Sequence, residues 1–338
     1  MRTIKLVLSI LLISSFSLTS IGCSRSAKSN GMDEQALQSI LKDMEEEPIL
    51  AMVVIKDGHK VASYQKQGEA DPLYDLHSVT KSFTSALIGI AIDQGILRGT
   101  DQPISDFFPE LLDPDEDPRK RLITVGDLMS MESGIDWPEW TDEWQYYVAP
   151  MLESPDWTRF VLERPMAEEP GRLFNYNSGG WQVLATILKK RTGLSEKEFA
   201  DKYLFGKLDI RRAEWDESPD GTNAAGLGLH LSIDDAAKLG SLYLQGGKWN
   251  GEQVISADWI EKSTERQADG DANIGGYGYG WWLQSYDGNP TYFALGYAGQ
   301  YVFVVPNRNM VVAFTSDSPQ DAGLPVRYLQ RLLQASLA

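Results

Sequence analysis

The sequence predicts a mixed α/β (α+β) fold, in which a central antiparallel sheet is flanked by helices and carries an inserted helical region. Three observations indicate this class. Strand-like segments lie near both ends of the chain, helical and loop-rich sequence fills residues 100–220, and an amphipathic helix closes the chain at residues 324–337. One sheet built by both ends of the chain accommodates this order, because strands with helices between them must bury their apolar faces together.

Length and charge limit the class of protein. The 338 residues are 42% hydrophobic and 23% charged, which is enough to bury a large core in one large or two interlocked domains. The formal net charge is −17. Such an acidic chain lacks the basic surface that nucleic acids or anionic membranes require, so we expect neither as a direct partner.

The first 23 residues have the order of a secretory signal. Two basic residues precede an apolar run from Leu6 to Ile13, and small and hydroxyl residues follow. The run is too short to span a membrane comfortably. It ends in Ser20-Ile21-Gly22-Cys23, which resembles a bacterial lipobox except that leucine is usual where Ser20 stands.

We therefore expect residues 1–22 to be a signal peptide and residues 23–47 to be a tether. Cys23, the only cysteine, is the expected lipidation site, and it leaves no second thiol for an internal disulfide. The alternative is an incidental thiol at the end of the signal. The expected location is the periplasmic face of a bacterial membrane, or the periplasm or medium if Cys23 carries no lipid.

The next segments predict a hairpin followed by a buried helix. Two β-rich runs at residues 49–68 meet at Asp57-Gly58-His59, a turn signal. From Phe83 to Ile92 the sequence is apolar on every side, as in a helix that is buried all round. Lys81 lies in the first turn of this helix, three residues after Ser78. Burial of a lysine ammonium costs free energy, so such a lysine either reaches solvent or is retained for its chemistry.

Strands return late in the chain. From Gly278 onward the sequence is again β-rich, and the amphipathic helix follows it. The acidic run at residues 113–118 lacks the glycine and the distal glutamate of a calcium loop, so it is read as a solvated turn.

The pattern S-x-x-K occurs three times, at Ser39, Ser63 and Ser78. Ser39 lies in a polar helix, and Ser63 lies on a strand, where residues three apart point to opposite faces. Only Ser78 stands at the start of a buried helix, where residues i and i+3 share a face.

At that position the pair has a chemical meaning. Lys81 can take the hydroxyl proton of Ser78, and the helix N-terminus favours negative charge beside Ser78. A low dielectric lowers the pKa of a lysine toward the range of a general base. The alternative is an N-capping serine with a lysine that reaches out to solvent.

Tyr176 is the second candidate. It lies in a loop just before a predicted helix at residues 178–192, and we expect a nearby ammonium to lower the pKa of its phenol so that it can pass protons to a leaving group. The alternative is a half-buried packing tyrosine.

Together these motifs resemble the serine hydrolases related to class C β-lactamases, penicillin-binding carboxypeptidases, family VIII esterases and 6-aminohexanoate-dimer hydrolases. Ser78-Val79-Thr80-Lys81 matches the S-x-x-K motif. Tyr176-Asn177-Ser178 stands where the family has Tyr-x-Asn or Tyr-x-Ser, so either Asn177 or Ser178 can be the polar partner. The similarity covers about residues 48–335. It implies a β-lactamase/DD-peptidase-like fold for a domain at residues 48–338.

The sequence of the strand that would line the site differs from that of many relatives. Where they have Lys-Thr-Gly or His-x-Gly, this chain reads Ala294-Leu295-Gly296, which offers no cation to a substrate carboxylate. The chain is therefore more similar to the aminohexanoate-dimer hydrolase and esterase branch than to true β-lactamases.

The resemblance also implies the site residues. Ser78 is the expected nucleophile, Lys81 and Tyr176 share the proton transfers, and the N–H groups of Ser78 and of Leu295 or a neighbour form the oxyanion hole. The expected substrate-binding residues are Asn177, Ser178, Gly296, Tyr297, Trp140 and Trp144. The two tryptophans belong to the aromatic segment 134–150, for which a flap over the site and a part of the core are equally weighted.

The expected function is that of an exported serine hydrolase that forms an acyl-enzyme on a small ester or amide. No cofactor and no metal are expected, because the three histidines lack metal-ligand spacing. The alternatives are a D-alanyl-D-alanine carboxypeptidase or weak β-lactamase, and a non-catalytic binding lipoprotein of the cell envelope. The expected partners are a small-molecule substrate and a membrane that is reached only through the lipid.

Overall fold

A computed structural model describes residues 31–68, 71–111, 117–141 and 146–337. The predicted signal peptide, Cys23, Trp144 and most of the acidic run at 113–118 lie outside these residues. Within them, no helix is both long and apolar enough to cross a bilayer.

The central sheet is antiparallel throughout, and both ends of the chain build it, as predicted. In the described residues it has eight strands in the order β2-β1-β13-β12-β11-β10-β9-β8. Their bounds are β1 Ile49–Lys56, β2 His59–Gln65, β8 Ala268–Asp271, β9 Gly275–Tyr277, β10 Trp282–Tyr286, β11 Asn289–Gly296, β12 Gln300–Val305 and β13 Met310–Ser316. The C-terminal β-rich region thus begins at Ala268 rather than at Gly278.

The predicted hairpin is confirmed, with a tighter turn. Asp57 and Gly58 have φ angles of 51° and 76°. Positive φ at both central residues matches a two-residue turn that follows the twist of the strands. His59 therefore belongs to β2 and not to the turn.

The predicted buried helix is also confirmed, as α2 (Thr80–Asp93). Every residue from Thr80 to Ala91 is buried. The helix carries polar residues but no polar face. Gly89 permits the close approach of Trp259, since a Cβ at Gly89 would lie 2.4 Å from the indole ring.

The remaining helices form two groups. Four of them lie outside the predicted helical insertion: α1 Glu34–Asp43, α8 Ile233–Leu244, α9 Ala257–Thr264 and α10 Leu324–Ala335. Five form the predicted helical insertion: α3 Val125–Met129, α4 Val148–Glu153, α5 Trp157–Leu162, α6 Ser178–Thr192 and α7 Glu196–Ala200. The described residues also form two minor sheets. One has three strands in the order β3 Tyr74–Asp75, β5 Leu229–Leu231 and β4 Glu214–Trp215. The other pairs β6 Lys248–Trp249 with β7 Glu252–Gln253.

The predicted tether at residues 23–47 is too long. Helix α1 packs on α10 and buries Leu37 and Ile40 in the core. Met32 also pairs with Ser336. The domain therefore begins near residue 32, because the apolar side of α1 is needed to cover α10.

Candidate active site

Lys81 is held inside the protein and does not reach out to solvent. Ser78 lies in a single 3₁₀ turn, His77–Val79, that leads directly into α2. The Lys81 side chain is 1% exposed. Its Nζ donates to Ser78 Oγ at 2.9 Å, to Ser178 Oγ at 2.9 Å and to the Gly226 carbonyl oxygen at 2.6 Å. Every donor of the ammonium is thus used.

Burial shifts the ionisation of this lysine. Removal from water disfavours the charged form and lowers the pKa of Lys81 to about 8, while the nearby negative charge of Glu139 opposes the shift. A neutral amine next to a serine hydroxyl can accept its proton. A buried amine with a lowered pKa beside a serine hydroxyl is the arrangement that a general base requires.

Tyr176 lies beside Ser78 and Lys81, but the pKa of its phenol shifts in the direction opposite to the prediction. Burial raises its pKa well above the ordinary value of a tyrosine, the charge of Glu139 adds to the rise, and only a hydrogen bond with Ser78 opposes it. Lys81 Nζ lies 4.9 Å from the centroid of the ring. The expected lowering by the ammonium is therefore wrong, since desolvation is the larger effect. Tyr176 remains a neutral phenol that can donate a hydrogen bond.

The structure distinguishes the two candidates for the polar partner. Ser178 Oγ contacts Lys81, and Ser178 lines the cavity beside Ser78. Asn177 instead caps α6, because its Oδ1 accepts from the N–H of Gly180 at 2.8 Å and its side chain is buried. The expected role of Asn177 in substrate binding is thus not supported, and an N-cap role replaces it.

Glu139 is a site residue that the sequence did not indicate. Its carboxylate accepts hydrogen bonds from the backbone N–H and the hydroxyl of Ser178, both at 2.7 Å, and from Trp137 Nε1 at 2.8 Å. No motif marks this glutamate among the many acids of the chain. The loop at 131–141 brings it beside Ser178 at the start of α6, a contact between distant parts of the chain.

A cavity of about 660 Å³ opens beside Ser78. One of its walls is aromatic: Trp140 stacks on Tyr176 at 4.4 Å and on Trp282 at 5.7 Å between ring centroids. Trp140 is 48% exposed, so its ring is available to a ligand. The structure thus places Trp140 at the cavity.

The aromatic segment 134–150 divides between the two predicted alternatives. Trp137 and Tyr147 are buried in the core, whereas Trp140 forms part of the cavity wall. Part of the segment thus belongs to the core and part of it lines the cavity, and Trp144 lies outside the described residues.

The end of β11 also lines the cavity. Leu295, Gly296 and Tyr297 all line it, as expected for the strand motif. A Cβ at Gly296 would lie 2.5 Å from the Leu76 carbonyl oxygen and 3.2 Å from the Ser78 nitrogen. Only glycine allows the strand to come this close to the backbone of the nucleophile.

The cavity has little positive charge. Its described lining includes His77 and Glu139 as titratable side chains besides Tyr176 and Tyr297, and it contains no arginine or lysine. Arg172 lines a different cavity together with Arg266 and Glu132. Among the described residues, no cluster of histidine, cysteine, aspartate or glutamate is arranged to hold a metal ion.

Known proteins share this fold and a minor part of this sequence. The chain is 28% identical over 311 residues to a 6-aminohexanoate-dimer hydrolase of Paenarthrobacter ureafaciens, covering 84% of this chain and 76% of that one. A Bacillus anthracis structure described as a candidate 6-aminohexanoate-dimer hydrolase superposes with a TM-score of 0.75 at 20% identity, covering 88% of this chain and 80% of its own.

An octameric penicillin-binding protein homologue of Pyrococcus abyssi superposes with a TM-score of 0.70 at 22% identity, covering 90% of this chain and 79% of its own. These superpositions confirm the predicted fold. The family model named Beta-lactamase matches residues 37–336. The chain therefore belongs to the Beta-lactamase family, whose members are serine hydrolases.

Proposed function

We propose that this protein hydrolyses small, uncharged esters or amides through an acyl-enzyme on Ser78. The observation that carries the proposal is the contact of Ser78 Oγ with a buried lysine at 2.9 Å, at the end of a mostly apolar cavity. A serine hydroxyl is a weak nucleophile until a base removes its proton. The contact between Lys81 and Ser78 supports Lys81 as that base.

In the first step, Ser78 Oγ attacks the substrate carbonyl carbon. The Oγ–C bond forms, the Oγ proton passes to neutral Lys81, and the carbonyl electron pair moves onto its oxygen. The N–H groups of Ser78 and of Leu295 or a neighbour stabilise this oxyanion, since Gly296 brings β11 close to the nucleophile.

In the second step, the tetrahedral intermediate collapses. The bond from carbon to the leaving group breaks, and the leaving oxygen or nitrogen takes a proton from the neutral Tyr176 phenol. Tyr176 regains its proton from the Lys81 ammonium, which restores the neutral amine. A water molecule then repeats the sequence on the ester of Ser78 and releases the acid.

The cavity wall supports the substrate class. A substrate carboxylate needs a cation or strong donors, worth about 1.5–3 kcal/mol for a charge-assisted bond. The described cavity lining contains no arginine or lysine, and it carries the acidic Glu139. Aromatic rings of Trp140 and Trp282 instead favour apolar acyl groups.

The comparison to run is kcat/KM for nitrophenyl butyrate against nitrocefin, on the soluble form that starts after Cys23. We expect the uncharged ester to be preferred by about 10- to 100-fold, which is the kinetic equivalent of one missing charge-assisted bond. A clear preference for nitrocefin would contradict the proposed substrate class, and it would favour the carboxypeptidase or β-lactamase alternative.

A binding lipoprotein without catalysis is the second alternative. A binding protein would have little need of a buried lysine whose Nζ contacts a serine hydroxyl, since burial of a charge costs free energy. If wild-type protein hydrolyses neither substrate and forms no covalent adduct, this alternative replaces the enzyme.

We also propose export and attachment to the periplasmic face of a bacterial membrane through lipid on Cys23. The order of residues 1–23 supports this proposal. Because the domain begins near residue 32, the tether would be about residues 24–31. Mass analysis of membrane-extracted protein tests it: a diacylglyceryl mass that is absent from Cys23→Ala is expected, and an unmodified Cys23 would exclude the lipid.

A further inference from the structure

Glu139 is half-buried at the cavity wall, and it takes part in a set of hydrogen bonds that leads to the proposed base. One of its oxygens, Oε2, accepts from the Ser178 N–H and from Trp137 Nε1, and the other, Oε1, accepts from the Ser178 hydroxyl. Trp137 belongs to the core. Three hydrogen bonds, one of them from a core residue, therefore fix the orientation of the carboxylate.

These hydrogen bonds fix the orientation of the Ser178 hydroxyl relative to Lys81. The single hydroxyl hydrogen of Ser178 is donated to Glu139, so the hydroxyl oxygen has only lone pairs left to offer. Lys81 Nζ donates to this oxygen at 2.9 Å. Ser178 thus connects the carboxylate to the ammonium with every donor and acceptor matched.

We propose that Glu139 is a positioning residue: it fixes Ser178 with the hydroxyl oxygen toward Lys81, and its negative charge stabilises the Lys81 ammonium. This inference rests on the proposed function, in which Lys81 is the base. The described structure gives Glu139 no hydrogen bond to Ser78, so it acts through Ser178 and Lys81.

Among the groups around Lys81, Glu139 is the charge that affects the ionisation of Lys81 most. Tyr176 and Tyr277 are both neutral, because burial holds their pKa above the ordinary value. His77 lines the cavity but pairs with Asp75, with 3.1 Å between Nδ1 and Oδ2. Burial lowers the pKa of Lys81 and Glu139 raises it, which leaves a value of about 8.

The decisive variant is Glu139→Gln, which keeps the shape and removes the charge. Without the carboxylate the ammonium is less stable, so the rise of kcat/KM with pH should move to lower pH by about 1 unit or more. An amide cannot accept all three hydrogen bonds, so the alkaline plateau should fall by about 10- to 100-fold. A role confined to packing would lower the plateau and leave the midpoint in place.

Glu139→Asp separates the two effects. It keeps the charge but withdraws the carboxylate from Ser178, so we expect a lower plateau with a midpoint close to that of the wild type. Glu132→Gln is the matched control, because Glu132 is a half-buried carboxylate of the same loop that hydrogen-bonds to Ser130 instead. Its loss of charge should change neither the midpoint nor the plateau.

A measurement without substrate tests the effect of Glu139 on Lys81 separately from the hydrolase proposal. The ¹³Cε resonance of Lys81, assigned by its loss in Lys81→Met, should titrate at lower pH in Glu139→Gln than in the wild type. An unchanged or higher midpoint would overturn the inference even if the enzyme is active. If Glu139→Gln does not fold, full activity of Glu139→Asp would overturn the positioning role. Equal activity of Ser78→Ala and wild type would instead overturn the proposed function.

Discussion

Replacing Lys81 by methionine is expected to lower kcat/KM for nitrophenyl butyrate by at least about 10²-fold, the usual scale of general-base catalysis. Methionine retains most of the side-chain volume and removes the amine. In the wild type, kcat/KM should rise with pH through about 8, because burial lowers the pKa of Lys81 to that value and only the neutral amine accepts a proton. The variant should lose this rise. Near-normal turnover would exclude Lys81 as the base.

The fold should survive the change. Loss of the buried ammonium removes a desolvation cost, while the Gly226 carbonyl oxygen loses its donor, and these two effects oppose each other. Lys120→Met is the matched control. Lys120 is also buried and donates to a backbone carbonyl, that of Leu162 at 2.8 Å, but it lies outside the site. It should change the Tm without changing kcat/KM.

Replacing Tyr176 by phenylalanine is expected to lower turnover by about 10²-fold while the Tm hardly changes. The stack on Trp140 and Trp282 depends on the ring, which phenylalanine keeps. The hydroxyl is the only group lost, and it is the proposed donor to the leaving group. Turnover and thermal unfolding of the same preparations test this separation.

Tyr277→Phe is the control for this variant. Tyr277 is buried in the same aromatic cluster, where it meets Trp282 edge-on at 4.7 Å, and it does not line the cavity of Ser78. Its phenol should be dispensable for turnover. If Tyr176→Phe loses stability but keeps its turnover per folded molecule, Tyr176 is a packing residue, as the alternative interpretation held.

Much of the fold could be predicted because its signals are local. The hairpin at Asp57-Gly58, the apolar helix α2 and the amphipathic helix α10 each follow from a short stretch of sequence. The start of the domain was missed because α1 is polar on most positions. Its few apolar residues become informative only when α10 is known to cover them.

The site was predicted less completely, because some of its properties depend on distant contacts. Glu139 and Ser178 are 39 residues apart, and no spacing rule joins them. The direction of the pKa shift of Tyr176 depends on burial, which the sequence does not report. Asn177 is a different case: an asparagine just before a helix is a common N-cap, so its role could have been inferred from the sequence.

The buried carboxyl of Glu196 had no sequence signal either. It lies wholly inside the protein, and burial raises its pKa to about 8, so it is neutral near pH 7. Glu196 is the first residue of α7, and an exposed, charged side chain is usual at such a position. Only the packing of α7 against α2 reveals its environment.

Intact-mass analysis after exposure to a fluorophosphonate tests the central claim most directly. Ser78 Oγ should displace fluoride from phosphorus and give one stable covalent adduct per chain. The adduct should be absent from Ser78→Ala, and it should form far more slowly in Lys81→Met, because that variant lacks the base. An adduct that persists in Ser78→Ala, or a wild-type protein that forms none, would contradict the assignment of Ser78 as the nucleophile.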